Sequence, residues 1–126
     1  MIKVTFNTWI TFGSLPRGTW FLWDGDLYLT VSNVEAYRFT GTPGLRSLDS
    51  WLRVGFNEME PDLLVRYNYS GEIEYHRLAD GEAFLDNGKL YVKVNNHNAI
   101  NLGTRVIGAF CGVGTAVTPV SLEIEV

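Results

Sequence analysis

The side chains best suited to chemistry in this chain of 126 residues are few and scattered. Its two histidines, His76 and His97, lack partners at metal-ligand spacing, and there is no second cysteine, so a zinc centre would be short of ligands. Each reads as a solvated or hydrogen-bonded structural histidine. Cys111, in the apolar run GAFCGVG, cannot close an internal disulfide and reads as a small buried hydrophobe. Glu58, Glu60 and Asp62 crowd together in NEMEPD. That spacing could supply a carboxylate pair or a weak cation site, yet a solvated turn accounts for it more simply. No nucleophile elbow is present, and neither GxxxxGK[ST] nor GxGxxG occurs; CGVG has no lysine and no following helix. The sequence thus predicts no catalytic, cofactor-binding or metal-binding residues and no enzyme.

Contact with a partner is better provided for. Trp and Tyr offer large rigid area at low entropic cost, and the chain carries Trp9, Trp20, Trp23 and Trp51. Trp20 and Trp23 differ in parity along an extended segment, so both cannot lie on one buried face. Arg17, Arg38, Arg46 and Arg53 could meet an acidic partner or a small anion. Trp20, Trp23, Tyr28, Tyr91 and Arg17 form the candidate interaction surface. A net charge of -4 and a pI near 5.0 argue against a nucleic-acid backbone as that partner. No stretch approaches the roughly 18 apolar residues of a membrane span, and MIKVTFNTWITFG lacks the basic and apolar regions of a secretory leader. A soluble, non-secreted chain is expected.

These residues are placed by an internal repeat. Leu15 to Ala36, LPRGTWFLWDGDLYLTVSNVEA, returns 63 residues later as LADGEAFLDNGKLYVKVNNHNA, with ten of 22 positions identical and no gap. In each copy a tight turn, LPRG or LADG, precedes a short strand. Asp24-Gly25 and Asn87-Gly88 then close hairpins, because a type I′ turn needs positive φ at both central residues. The returning strands LYLTV and LYVKV alternate, with Tyr28 and Tyr91 on the face opposite the Leu and Val residues. Before the repeat, IKVTFNTWITF alternates as a strand broken near Asn7-Thr8. Its counterpart has a turn over Asn68 to Gly71 followed by the alternating EIEYH.

After Phe39 the copies diverge. Leu45, Leu48, Trp51 and Leu52 fall at helical spacing, which predicts one short helix near residues 45–52. Pro61 and Pro119 are offset by 58 rather than 63 residues, which implies about five extra residues in the first copy between Thr40 and Glu60. Composition is ordinary for a globular chain, at 46% hydrophobic and 13% aromatic. The expected fold is all-β: a compact small barrel or sandwich built from two tandem pseudo-symmetric β-meander repeats. The repeats span approximately 1–63 and 64–126 within a single domain, 1–126, since about 60 residues bury little surface alone.

The pattern Phe12-Gly13-x-Leu15-x-x-Gly18-x-x-Phe21-x-x-x-Gly25-x-Leu27-Tyr28, with the tail Val117-Thr118-Pro119-Val120-Ser121-Leu122-Glu123, resembles small uncharacterised proteins of tailed bacteriophages. These often read FGDLKxGxxFxxxGxLYxK and close in VxPVxxE. Thr30 stands where that pattern has its lysine, and Lys93 retains it. The resemblance implies a non-catalytic structural or interaction protein, most simply a capsid decoration or other minor virion protein. Its partners would be capsid subunits or further copies of itself, and its location the virion. The alternative is a host-interaction or anti-defence protein in the host cytoplasm that binds a host protein or a small nucleotide signal.

Overall fold

A computed structural model describes residues 8–56, 61–67, 71–110 and 115–125. The expected strand over residues 2–7, the turn residues 68–70, Glu58, Glu60 and Cys111 lie outside these. The protein is all-β, with two antiparallel sheets. The described chain divides into two compact units between Asp62 and Leu63.

The first unit carries β1 (Thr8–Thr11), β2 (Trp20–Trp23), β3 (Asp26–Thr30), β4 (Glu35–Arg38), β5 (Gly44–Ser47) and β6 (Arg53–Phe56), in the order β1-β6-β2-β3-β4-β5. The remaining strands are β7 (Asp62–Tyr67), β8 (Ile73–Glu74), β9 (Ala83–Asp86), β10 (Lys89–Lys93), β11 (Asn98–Asn101), β12 (Val106–Ala109) and β13 (Ala116–Glu125). They run β12-β11-β10-β9-β13-β7, and β8 also pairs with β13. Among the described residues no ladder closes either path into a barrel.

The local chemistry fixes the two central hairpins. Asp24 (φ 51°) with Gly25 (φ 80°), and Asn87 (φ 51°) with Gly88 (φ 76°), are the paired positive-φ positions of type I′ turns, flanked by Trp23↔Asp26 and Asp86↔Lys89. Beyond them the registers of the units agree at an offset of 63. Val54 faces Ile10 as Val117 faces Ile73, and Phe56 faces Phe21 as Pro119 faces Phe84.

Two expectations are corrected here. Residues 45–47 belong to β5, and none of residues 48–52 is helical. The apolar spacing that suggested a helix instead reflects a strand followed by a loop whose Leu48 and Leu52 turn into the core. The first copy also has no five-residue excess before β6. Its β4–β5 loop is one residue longer and its β5–β6 loop one residue shorter than their counterparts, so the register is restored at β6. Pro119 is matched by Phe56, not by Pro61.

Each unit has a core cluster on one face of its sheet, beneath a single turn of 3-10 helix. In the first, Phe12, Leu15, Phe21, Tyr28, Ala36 and Val54 pack with the half-buried Ile10, Trp23, Leu48 and Leu52. In the second, Tyr75, Leu78, Phe84, Ala99 and Val117 pack with Ile73, Tyr91 and Phe110. The opposite faces are also covered: Leu27, Leu29 and Tyr37 in the first unit, and Val92 and Ile100 in the second, are buried. Four consecutive residues of β3, Leu27 to Thr30, therefore lose contact with water. A strand between two covered faces has no solvent-facing side on which to leave a tyrosine.

Candidate functional site

The 3-10 turns, Phe12–Ser14 and Tyr75–Arg77, differ in sequence while keeping one geometry. Each lies between extended residues, and each closes with a backbone bond of 3.1 Å, from Leu15 N to Phe12 O and from Leu78 N to Tyr75 O. Each turn is also tied to the loop preceding the last strand of its copy, Phe12 N to Leu52 O at 2.7 Å and Tyr75 N to Thr115 O at 2.8 Å. Gly13 is needed for close approach. A Cβ there would come within 2.7 Å of Ser50 Cβ, while its N–H donates to Ser50 O at 2.7 Å.

Beneath these turns sit Thr30 and Lys93, equivalent residues at the ends of β3 and β10, each 1% exposed. The Thr30 hydroxyl donates to Pro16 O at 2.5 Å and accepts from Thr19 N at 2.8 Å. Lys93 reaches farther. Its Nζ donates to Leu78 O at 2.6 Å, Tyr75 O at 3.2 Å and His76 O at 3.4 Å, and lies 4.9 Å from the centre of the Tyr75 ring. An ammonium has three donors, and here three carbonyls receive them with a ring face alongside. With every donor engaged and no access to water, this lysine is a clasp on the turn rather than a nucleophile or base.

Tyr75 sets the other half of the arrangement. Its hydroxyl lies 2.8 Å from Asn95 O and 2.9 Å from Asn98 O, to which it donates, and burial, with Asp80 adding to it, pushes its pKa up to about 12. The folded state thus holds the phenolic proton more tightly than the unfolded chain, whose tyrosine titrates near 10. The resulting stability is complete below pH 10 and is lost as pH rises toward about 12. Thermal melts through that window should show a smaller alkaline loss for Tyr75→Phe than for the parent, even though the variant starts less stable at neutral pH.

The predicted contact residues disperse. Trp20 is buried against Phe39, with ring centres 5.1 Å apart, and Tyr28 is buried and stacked on Phe21 at 5.2 Å, so neither belongs to a surface. Burial raises the Tyr28 pKa, against an opposing pull from Arg38. Trp23 and Tyr91 are half-buried: Trp23 packs on the first core cluster, and Tyr91 stacks on Phe84 at 5.2 Å. Of the five, Arg17 alone is exposed. Parity could separate the faces of β2 but could not reveal that both are covered.

Arg38 and Arg46 are turned back on the chain. Arg38 bonds Asp26 Oδ2 at 2.5 Å and Thr40 O at 2.9 Å, and Arg46 bonds Leu45 O at 3.1 Å and Thr42 O at 3.2 Å. His76 is exposed, with Nε2 3.3 Å from Glu74 Oε2, and His97 is exposed in the β10–β11 loop. Among the described residues no group of three His, Cys, Asp or Glu side chains could hold a metal ion.

Of the tryptophans that the sequence offers for contact, Trp51 lies outside the five-residue candidate surface, yet it is 72% exposed. Its backbone neighbours are fastened, Ser50 O to Gly13 N and Leu52 O to Phe12 N, both at 2.7 Å. The indole is therefore held out from an anchored loop. Its spacing with Leu45, Leu48 and Leu52 had placed it in the expected short helix; Gly41 and Pro43, just ahead of β5, were the signal against one.

No protein-family model matches the chain, and neither a curated protein nor a solved structure matches it.

Proposed function

We propose that this chain is a non-catalytic interaction protein of a tailed bacteriophage, most simply a decoration protein of the virion that docks on capsid subunits through its first unit. The observation that carries this reading is Trp51, a large indole projected from a loop fastened on both sides. Trp so placed is the residue type that most often dominates a protein interface. The turn and hairpin residues of the phage-like pattern support the same reading. Phe12, Leu15, Phe21, Leu27 and Tyr28 are core, and Gly18 and Gly25 serve turns, so the pattern describes a scaffold.

The test begins with mass spectrometry of gradient-purified virions from the source phage, counting this chain against the major capsid protein. A simple ratio supports decoration. Absence from the particle overturns it and favours the host-directed alternative, with a host protein or small nucleotide as ligand. Trp51→Ala should alter stability by less than about 0.5 kcal/mol, since it removes no buried contact. The same change should weaken binding to undecorated capsids by roughly tenfold or more.

A further inference from the structure

The strand paths run from β1 to β5 and from β12 to β7, and the edges at β5 and β12, which hold equivalent places in the two copies, are treated differently. In an antiparallel ladder, alternate residues turn both backbone groups toward the neighbour or away from it. Leu48 N donates to Val34 O at 2.8 Å and Phe110 N donates to His97 O at 2.9 Å, which fixes that alternation. With the registers Ala36↔Arg46 and Ala99↔Gly108, the outward-facing groups belong to Leu45 and Ser47 on β5, and to Ile107 and Ala109 on β12. On β5 the outward Leu45 carbonyl already accepts from Arg46 Nη1 at 3.1 Å. The residue matching Arg46 on β12 is Gly108, so the outward carbonyl of Ile107 has no such guard. Charged residues that blunt an edge are a standard protection against strand addition, and the sequence VIGA has none.

We propose that β12 is the edge through which two copies of this chain associate, antiparallel, about a twofold axis at Gly108. In that register Ile107 of each copy meets Ala109 of the other, and the outward N–H and C=O groups of both residues form four new hydrogen bonds. Gly108 then faces Gly108 of the second copy in the non-bonded position, where Cα atoms approach to about 4.5 Å and an absent Cβ is an advantage. The charge pattern leaves a like strand unopposed as occupant. The same operation at β5 would set Arg46 against Arg46, whereas at β12 no charge meets a charge. Val106, 50% exposed, adds apolar surface beside the ladder. The pairing goes beyond the virion reading and does not require it, although an array on a capsid would strengthen so short a ladder by raising its effective concentration.

Sedimentation equilibrium of the full chain across a dilution series tests this. The wild type should rise from the 14.2 kDa chain mass toward twice that value at the concentration of an NMR sample. Ala109→Pro removes an outward donor that its own sheet does not use, at an edge where proline is tolerated. Gly108→Arg restores the guard found on β5, and a Cβ at Gly108 meets nothing within 4 Å. Both variants should stay at the monomer mass with unchanged circular dichroism. A wild type that remains monomeric, or folded variants that dimerise as it does, would overturn the proposal. Amide exchange on the wild type gives a reading independent of either variant: protection of Ile107 and Ala109 should grow with concentration, and its failure to do so would equally overturn it.

Discussion

Lys93→Met should lower the unfolding free energy by about 2–4 kcal/mol, read as a fall in urea midpoint at unchanged slope. Methionine keeps much of the stem's volume, so the loss isolates the ammonium. Without it, the carbonyls of His76 and Leu78 lose the donor seen here, and Tyr75 O keeps only the bond from Leu78 N. A buried acceptor left without a partner costs about 1–3 kcal/mol, and the ring contact adds a smaller amount. Removing the buried charge recovers part of its desolvation cost, which keeps the expected loss below the sum of three bonds. Thr30→Val in the first unit should cost less, because the hydroxyl makes two neutral bonds and valine keeps the shape. A Lys93→Met variant as stable as the parent would mean that the carbonyls are hydrated as readily as they are bonded.

Phe84→Ala should cost about 3–5 kcal/mol, the range for deleting a large aromatic from a packed core. The ring is fully buried and is the hub of an aromatic cluster. It meets Tyr75 edge-on at 5.3 Å, Tyr91 in a stack at 5.2 Å and Phe110 edge-on at 5.2 Å. The three remaining rings cannot collapse into the space of Phe84 without breaking these geometries, so the cavity term should be near its upper range. Phe84→Leu, which refills most of the volume, should recover at least half of the loss. If alanine and leucine melt alike, ring geometry rather than filled volume sets the stability of this core.

Much of the fold was legible in the sequence because it rests on local rules. Asp24-Gly25 and Asn87-Gly88 specify their turns by backbone conformation alone, and alternation located the strands that flank them. Tyr28 does lie opposite Leu27 and Leu29, yet it is buried for a physical reason: period-two alternation marks which residues share a face, and only the whole fold decides whether the other face is covered. Trp51 failed the opposite way. Its spacing matched a helix, but Gly41, Pro43 and Gly44 had already committed the chain to a turn and an edge strand. Beyond its place in the phage-like pattern, Lys93 gave no sign of burial, since a lysine in an alternating strand reads as solvent-facing. Its clasp exists only because a turn from elsewhere in the sequence brings three carbonyls over it.

That clasp gives the protein a built-in reporter. Lys89 and Lys93 mark the two ends of one strand, the first exposed to solvent and the second sealed beneath the turn. An amine-reactive acylating reagent will modify the exposed Lys89 in the folded protein. It can reach Lys93 only when the Tyr75–Arg77 turn lifts away from β10. The ratio of acylation at the two sites, read in a single peptide, therefore follows the opening of this half of the chain under conditions where the rest of the population stays folded.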